Sequence, residues 1–335
     1  MRPIASAIHN NTVRIIIVIA VALARSTSVS AMTLPNNPST DTARPDAAME
    51  TTYNNLAHYA IDLYRSGKGT GLDGRCWIGI TGGPGAGKST LAAAVAEKIN
   101  NQSVAFEGSS SSDFSSNIKA VAIPMDGYHY TRNELAKVAR DLGGDDGTKG
   151  MSRRGAPWTF DAKSLARDLG EAKSFGHASL PEYDRALSDP VDNAVVVEEY
   201  HRIILVEGNY LILGLLDAQV DGASNGPLSG SNLSEACSDL QCPVPIGEEV
   251  QRWKDTAALW DETWFIAPPG NNAVEIQRDR IIERSLETWN PSKTKTWGGR
   301  TDREAAIKRA EFNDVRNARL IECCRAYADR IVDSI

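Results

Sequence analysis

Positive charge is in short supply in this sequence. It holds 36 Lys and Arg against 43 Asp and Glu, a formal charge of −7, which argues against the broadly basic face that nucleic-acid binding requires. Cysteine is scarce as well. Of the five, Cys76 sits in an apolar run, Cys237 and Cys242 in a polar stretch, and Cys323 and Cys324 are adjacent. No Cys-x-x-Cys pair or Cys/His cluster has the spacing of a zinc site. Free thiols in a reducing compartment are the expectation, with a local Cys237–Cys242 disulfide as the alternative. Long apolar runs are missing too. Ile15 to Ala24 is only ten residues, too few to span a bilayer comfortably. What is present is ordinary for a globular chain: 41% hydrophobic and 24% charged residues over 335 positions, enough for a sizeable core.

One motif stands out against that background. Gly82, Gly83, Pro84, Gly85, Ala86, Gly87, Lys88 and Ser89 follow the apolar run Cys76 to Ile80 and open a helical stretch at Thr90-Leu91-Ala92. Strand, glycine loop, helix is the context of a phosphate-binding loop. Glycines let backbone N–H groups converge on phosphate oxygens, and the helix N-terminus adds partial positive charge. Lys88 is placed to reach the outer phosphates and the Ser89 hydroxyl to meet Mg²⁺. A nucleoside triphosphate, ATP with Mg²⁺, is the expected ligand. An acidic protein with this ligand must concentrate positive charge locally, so its clustered arginines become informative.

The first 48 residues read as something other than domain. Arg2 and Arg14, the apolar run and Val29-Ser30-Ala31 have the parts of a signal sequence, followed by a Thr/Asn/Pro/Ala-rich stretch. Secretion conflicts with ATP chemistry. Either the segment is the first half of a plastid-type bipartite targeting peptide, or translation begins at Met32 or Met49 and leaves a cytoplasmic protein. The domain is expected over 49–335, with low-complexity inserts at about 100–117 and 221–250.

Hydrophobic spacing predicts a helix over Tyr53–Arg65, with Leu56, Ala60, Ile61 and Tyr64 on one face, and a second from Lys88 to Ile99, with Leu91, Val95 and Ile99 inward. Apolar runs at Arg75–Thr81, Lys119–Met125, Ile203–Val206 and Trp264–Ile266 predict strands of a parallel sheet with helices on both faces, an α/β fold. Ligands bind such sheets at the strands' carboxyl ends. The glycine loop, Asp126 and Glu207 each follow a strand directly, so one sheet edge collects all three.

Each candidate has a plainer reading. Asp126, before Gly127-Tyr128-His129-Tyr130, suits a base beside an acceptor hydroxyl, or a turn. Glu207 suits Mg²⁺, or a solvated strand end. His129 could hydrogen-bond substrate or pack nearby. Arg153-Arg154-Gly155-Ala156-Pro157-Trp158-Thr159-Phe160-Asp161 offers guanidinium forks and aromatic pocket walls, and also a helix cap at Thr159 or Asp161. Leu180 to Arg185 reads as a second such loop. Arg278, Arg280 and Arg284 lie on a helix predicted over Ala273–Glu287, with Arg280 and Arg284 on one face. They suit a lid closing over phosphate, or a salt-bridged surface.

Taken together, the glycine loop, Met-Asp-Gly-Tyr-His-Tyr at 125–130, the 153–161 segment, Pro-Glu-Tyr-Asp at 181–184 and Glu-Gly-Asn-Tyr-Leu at 207–211 resemble the uridine kinase/phosphoribulokinase/bacterial pantothenate kinase superfamily. The likeness is greatest to its nucleoside-kinase-like branch, which the stretch Asn313 to Ile321 also resembles. The similarity covers about residues 50–335, the inserts apart. It implies a P-loop kinase fold with a helical, arginine-bearing lid. It implies Asp126 as catalytic base, Lys88 and Ser89 on phosphates and Mg²⁺, Glu207 assisting the metal, and Arg280 and Arg284 as lid arginines. The acceptor side would hold Arg153, Arg154, Tyr183 and Asp184, together with Tyr128, His129 and Trp158. The Asp126-Gly127-Tyr128-His129 element and the 153–161 segment depart from the uridine kinase pattern, so the acceptor stays open among nucleosides, sugars, sugar phosphates and pantothenate-like alcohols.

The expected activity is transfer of the γ-phosphate to a hydroxyl of a small metabolite. The alternatives are a nucleotide switch or assembly ATPase with no small acceptor, and a catalytically silent relative. The chain has no Asn-Lys-x-Asp element for guanine. The expected partners are a small-molecule acceptor, no nucleic acid and no stable membrane span, with homo-oligomerisation left open.

Overall fold

Strands that are apolar at every position belong in a sheet covered on both faces, where alternation decides which face each side chain enters. The computed structural model describes residues 47–67, 74–105, 118–141, 152–216 and 245–335. The signal-like segment, most of both inserts and the Cys237–Cys242 question lie outside them. The elements run α1 (Ala47–Arg65), β1 (Cys76–Thr81), α2 (Lys88–Ala105), β2 (Lys119–Pro124), α3 (Arg132–Asp141), α4 (Ala162–Phe175), β3 (Ala178–Asp184), β4 (Asp189–Val197) and β5 (His201–Gly208). Then come α5 (Ile246–Arg252), α6 (Lys254–Ala257), β6 (Glu262–Ala267), α7 (Ala273–Glu287), α8 (Pro291–Thr296), α9 (Asp302–Arg309), α10 (Val315–Glu322) and β7 (Arg330–Asp333). A 3₁₀ turn, Met125–Tyr128, follows β2, and a π-turn, Ala310–Asp314, joins α9 to α10.

Five parallel strands form the main sheet in the order β2-β5-β1-β6-β7. Alternation sorts their side chains as expected. Ile78, Ile80, Ile203, Leu205, Trp264 and Ile266 enter one core with Leu56 and Ala60 of α1 and Leu91, Val95 and Ile99 of α2. Trp77, Ile204, Val206 and Phe265 enter the other with Leu165 and Leu169 of α4 and Leu320 and Ile321 of α10. All four strands expected from the sequence are present. Among the described residues no helix is long and apolar enough to cross a membrane.

The structure departs from the sequence reading at element ends. α1 starts at Ala47 rather than Tyr53, and α2 continues past Ile99 to Ala105, taking residues assigned to an insert. The reason is Asn100. Its side chain donates to the Ala120 carbonyl at 3.1 Å and accepts from the Ala120 N–H at 2.8 Å, so the helix is clamped along β2. Residues 245–250 are not low-complexity insert either. In α5 the buried Glu249 carboxylate takes both Arg252 Nη1 and the indole N–H of Trp253, and Trp253 enters the core. The stretch Leu180 to Asp184 is not loop but strand β3, paired antiparallel with β4.

That hairpin rests on the turn after β2 through one glycine. A Cβ at Gly127 would overlap the Pro181 carbonyl and its carbon. Gly170, inside α4, faces open space within 4 Å of its would-be Cβ. The two sites predict opposite outcomes for the same change. Gly127→Ala should destabilise by about 1–3 kcal/mol through overpacking, whereas Gly170→Ala should stabilise by about 0.5–1 kcal/mol through helix propensity. Urea unfolding of the two variants checks this, and equal signs would show that the hairpin does not press on the turn.

Candidate active site

The loop between β1 and α2 closes because Gly85 and Gly87 adopt φ of 77° and 96°, a region that side chains disfavour. An Ala86 N–H to Gly83 carbonyl bond of 3.1 Å holds the turn, and a Leu91 N–H to Gly87 carbonyl bond of 2.9 Å starts α2. Helix α7 is docked against this loop. A Cβ at Gly83 would overlap the Gln277 side-chain amide, and one at Gly85 would lie 2.7 Å from the Gln277 carbonyl oxygen. Residues 82–90 therefore all lie in the loop or the first turn of α2.

Lys88 is buried, and its Nζ donates to the Gly83 carbonyl at 3.0 Å. Ser89 Oγ donates to Glu207 Oε1 at 2.7 Å. Glu207, buried near the end of β5, stands in register with Ile80 of β1 on one side and Pro124 of β2 on the other. Neighbouring strands are roughly 5 Å apart, so the glycine loop and the Asp126 turn flank Glu207. Burial raises the pKa of Glu207, opposed by Lys88 and reinforced by Asp126. Burial likewise lowers that of Lys88, opposed by Glu207 and Asp126. Three strand ends thus deliver three charges that act on one another.

A cleft of about 250 Å³ opens beside them. Ser89, Asp126 and Glu207 line it together with Glu182, Tyr183 and Arg185 from the β3–β4 hairpin, and Ala92, Ala93, Ala122 and Pro124 complete the wall. His129 lies just behind. Its Nδ1 is 2.8 Å from the Asp126 carbonyl oxygen. A carbonyl only accepts, so Nδ1 carries the proton. The ring packs between Phe160 and Tyr183, with centroids 3.9 and 4.9 Å away. Arg154 donates from Nη2 to the Tyr130 carbonyl at 2.9 Å and to Asp189 at 3.0 Å, and stands 5.3 Å over the Tyr183 ring. It braces the wall that Tyr183 forms.

Several residues assigned to the site from sequence are placed elsewhere. Tyr128 is buried in the core, and its hydroxyl turns to Asp168 of α4 at 3.2 Å. Trp158 is likewise a core residue, with the Arg153 guanidinium 5.4 Å from its ring centroid. Arg153 donates to the Phe312 carbonyl and lies over the Phe312 ring as well, so it ties the 153–161 loop to the π-turn. Asp184 accepts from the N–H groups of Ala186 and Leu187 at 2.7 and 2.9 Å, which makes it the cap of the hairpin turn. Arg280 donates to Ser334 Oγ at 3.1 Å, toward the end of β7. Arg284, one turn further along α7, is the arginine whose pKa responds to the site. Desolvation lowers it first, then the charge of Arg185, while Asp314 and Asp126 oppose the shift. The cap of α4 is Asp161, which accepts from the Ser164 N–H at 3.0 Å, not Thr159.

Two groups escaped the sequence reading. Arg185 lay at the edge of a motif that drew attention to Tyr183 and Asp184. The π-turn itself went unread, although Asn313 opens the stretch that resembles the nucleoside-kinase-like branch, because a single extra residue in a helical pattern looks like helix. Its Asn313 donates to the Arg154 carbonyl at 2.7 Å, and Asn317 of α10 and Tyr210 both donate to the Gly155 carbonyl, at 3.1 and 2.6 Å. The 153–161 loop is held from three sides.

Burial lowers the pKa of His129 below its ordinary value of 6.5, more than Asp126 raises it. A base depressed in the folded state is protonated first in the unfolded chain. Its contribution is therefore complete above pH about 6.5 and is lost as pH falls toward the folded value. The stability advantage of the wild type over His129→Asn should shrink between pH 7.5 and pH 5, as measured by urea unfolding. An advantage constant over that range would contradict the burial argument.

Comparison with known proteins agrees with this architecture. No family model matches the chain. The Schizosaccharomyces pombe protein named "Putative uridine kinase C227.14" is 36% identical over 211 residues, 62% of this chain and 73% of the relative. An ATP-dependent kinase-like protein of Aspergillus versicolor, notR', is 28% identical over 167 residues, 48% of this chain and 71% of its own. Among solved structures, a "putative fructose transport system kinase" from Silicibacter sp. TM1040 superposes with a TM-score of 0.54 at 24% identity, covering 84% of this chain and 98% of that one. YFH7 of Saccharomyces cerevisiae superposes with a TM-score of 0.52 at 17% identity over the same shares. These two show the fold, and the Schizosaccharomyces relative shows the family. The chain belongs to the uridine kinase/phosphoribulokinase superfamily of P-loop kinases.

Proposed function

We propose that this kinase transfers the terminal phosphate of ATP to a hydroxyl of a small metabolite, with Asp126 as the base. The observation that carries the reading is the shared cleft: Asp126 lines it together with Ser89 and Glu207, the groups suited to the nucleotide's metal. The residues fit Mg·ATP. Ser89 Oγ and the Glu207 carboxylate are hard oxygen donors side by side, and Lys88 keeps two N–H groups beyond its bond to Gly83. The glycine loop presents backbone where side chains would obstruct. When bound there, Mg²⁺ supplies charge neutralisation on the phosphates.

In this reading Asp126 accepts the proton of the acceptor hydroxyl. Its oxygen forms the new bond to the γ-phosphorus while the bond to the β–γ bridging oxygen breaks, and ADP leaves with that electron pair. Lys88 and Arg284 stabilise the charge on the transferring group. Tyr183, held by Arg154 and His129, forms the acceptor wall. The size of the cleft and the polar groups on the hairpin favour a small hydroxylated metabolite over a macromolecular substrate.

A screen of nucleosides, sugars, sugar phosphates, pantothenate and glycerate for acceptor-dependent ADP release tests the proposal. Turnover equally fast without any acceptor would favour an ATPase instead. Asp126→Asn should retain Mg·ATP binding within about threefold but lose transfer by 10²-fold or more, of the order expected for a general base. Lys88→Ala should weaken nucleotide binding itself, seen by calorimetry. Arg284→Ala should lower kcat by roughly 10²-fold or more, while Arg280→Ala should leave kcat near wild type and lower the melting temperature.

A further inference from the structure

The arginines around the site differ in how they are held. Arg153 is bound to the Phe312 carbonyl, Arg154 to Asp189, Arg280 to Ser334, and Arg309 pairs with Asp314 at 3.5 Å. Arg185 has no such engagement. Its guanidinium makes no hydrogen bond or ion pair among the described residues, yet its side chain lines the cleft with Ser89, Asp126 and Glu207.

Its backbone is well fixed. Arg185 is the residue after the Asp184 cap, in a turn closed by the Ala186 and Leu187 N–H groups and followed by Ser188 at φ 54°. Leu187, two residues on, points into solvent, whereas Arg185, although exposed, lines the cleft. It lines the same cleft as Ser89 and Glu207, and its charge lowers the pKa of both Glu207 and Arg284. Two guanidinium groups close enough for one to lower the other's pKa repel unless an anion joins them, and a guanidinium fork matches phosphoryl oxygens.

We propose that Arg185 is a second phosphoryl-binding arginine, supplied from the acceptor-side hairpin, which completes with Arg284 a clamp on the terminal phosphate of the nucleotide. Asp184, which caps the turn, is then a positioning residue for Arg185. The same hairpin carries Tyr183 on the acceptor wall, so acceptor contact and phosphate contact sit two residues apart on one rigid turn. The inference rests on the phosphotransferase reading of this cleft.

The test compares affinities of the full chain for Mg·ADP and for a Mg complex of a non-hydrolysable ATP analogue, by calorimetry, without any acceptor. Arg185→Ala should weaken binding of the analogue about tenfold or more, the worth of a charge-assisted hydrogen bond, and leave Mg·ADP within twofold. Arg185→Lys should recover part of the loss. Arg185 is exposed, so the melting temperature should not move. If Arg185→Ala keeps the wild-type ratio of the two affinities, the assignment is wrong, and the arginine does not meet the third phosphate. If the wild type binds neither nucleotide, the phosphotransferase reading itself fails, which is a different result.

Discussion

The site depends on the burial of opposite charges at the carboxyl edge of a sheet whose middle is largely apolar. Lys88 and Glu207 come from elements next to β1 and β5, and neither has water enough to be comfortable ionised. Each offsets part of the other's desolvation, and the Asp126 charge enters both balances. In the proposed function, a phosphate with its metal offers positive charge to the carboxylates and negative charge to the lysine. The buried charges thus suit one class of ligand.

Most of this was legible in the sequence because it follows from short-range rules. Continuous apolar runs located the three parallel strands that deliver the glycine loop, Asp126 and Glu207. The glycine spacing marked the loop as one whose backbone N–H groups converge, and Gly85 and Gly87 adopt the positive φ that closes it. The convergence of the loop, Asp126 and Glu207 required only that ligands sit at strand carboxyl ends. The hairpin was not legible. Its residues, Ala178–Val197, mix Pro, Asp, Asn and Arg, and their alternation is broken by the register shift between Leu180 and Glu182. Tertiary contacts, with the turn at Gly127 and with His129 and Arg154, make that segment part of the cleft.

Motif membership also proved a poor guide to direction. Tyr128 and His129 are neighbours in one motif, but one hydroxyl goes to Asp168 in the core and the other ring flanks the cleft. The Tyr183-Asp184-Arg185 triplet divides similarly into wall, cap and cleft-facing cation. Successive residues of a strand or tight turn must point different ways, so a motif of this length mixes substrate contacts with the scaffold that holds them.

Helical spacing failed in a more instructive way at Arg280 and Arg284. Residues four apart do share a face, and both arginines are on α7 as expected. A face one turn long, however, spans about 5–6 Å along the axis, and a guanidinium adds its own reach. At α7 that is enough for Arg280 to meet Ser334, beyond β7, while Arg284 responds to Asp126 and Arg185 in the cleft. The helix is pinned to the glycine loop at Gln277, ahead of both arginines, and at Ile281, between them. Between those anchors Arg280 fastens the helix to the sheet edge, while past them the Arg284 guanidinium stays coupled to the charges of Asp126 and Arg185. The helix cannot leave the loop there without exposing the apolar Ile281 and the Gln277 amide buried against Gly83.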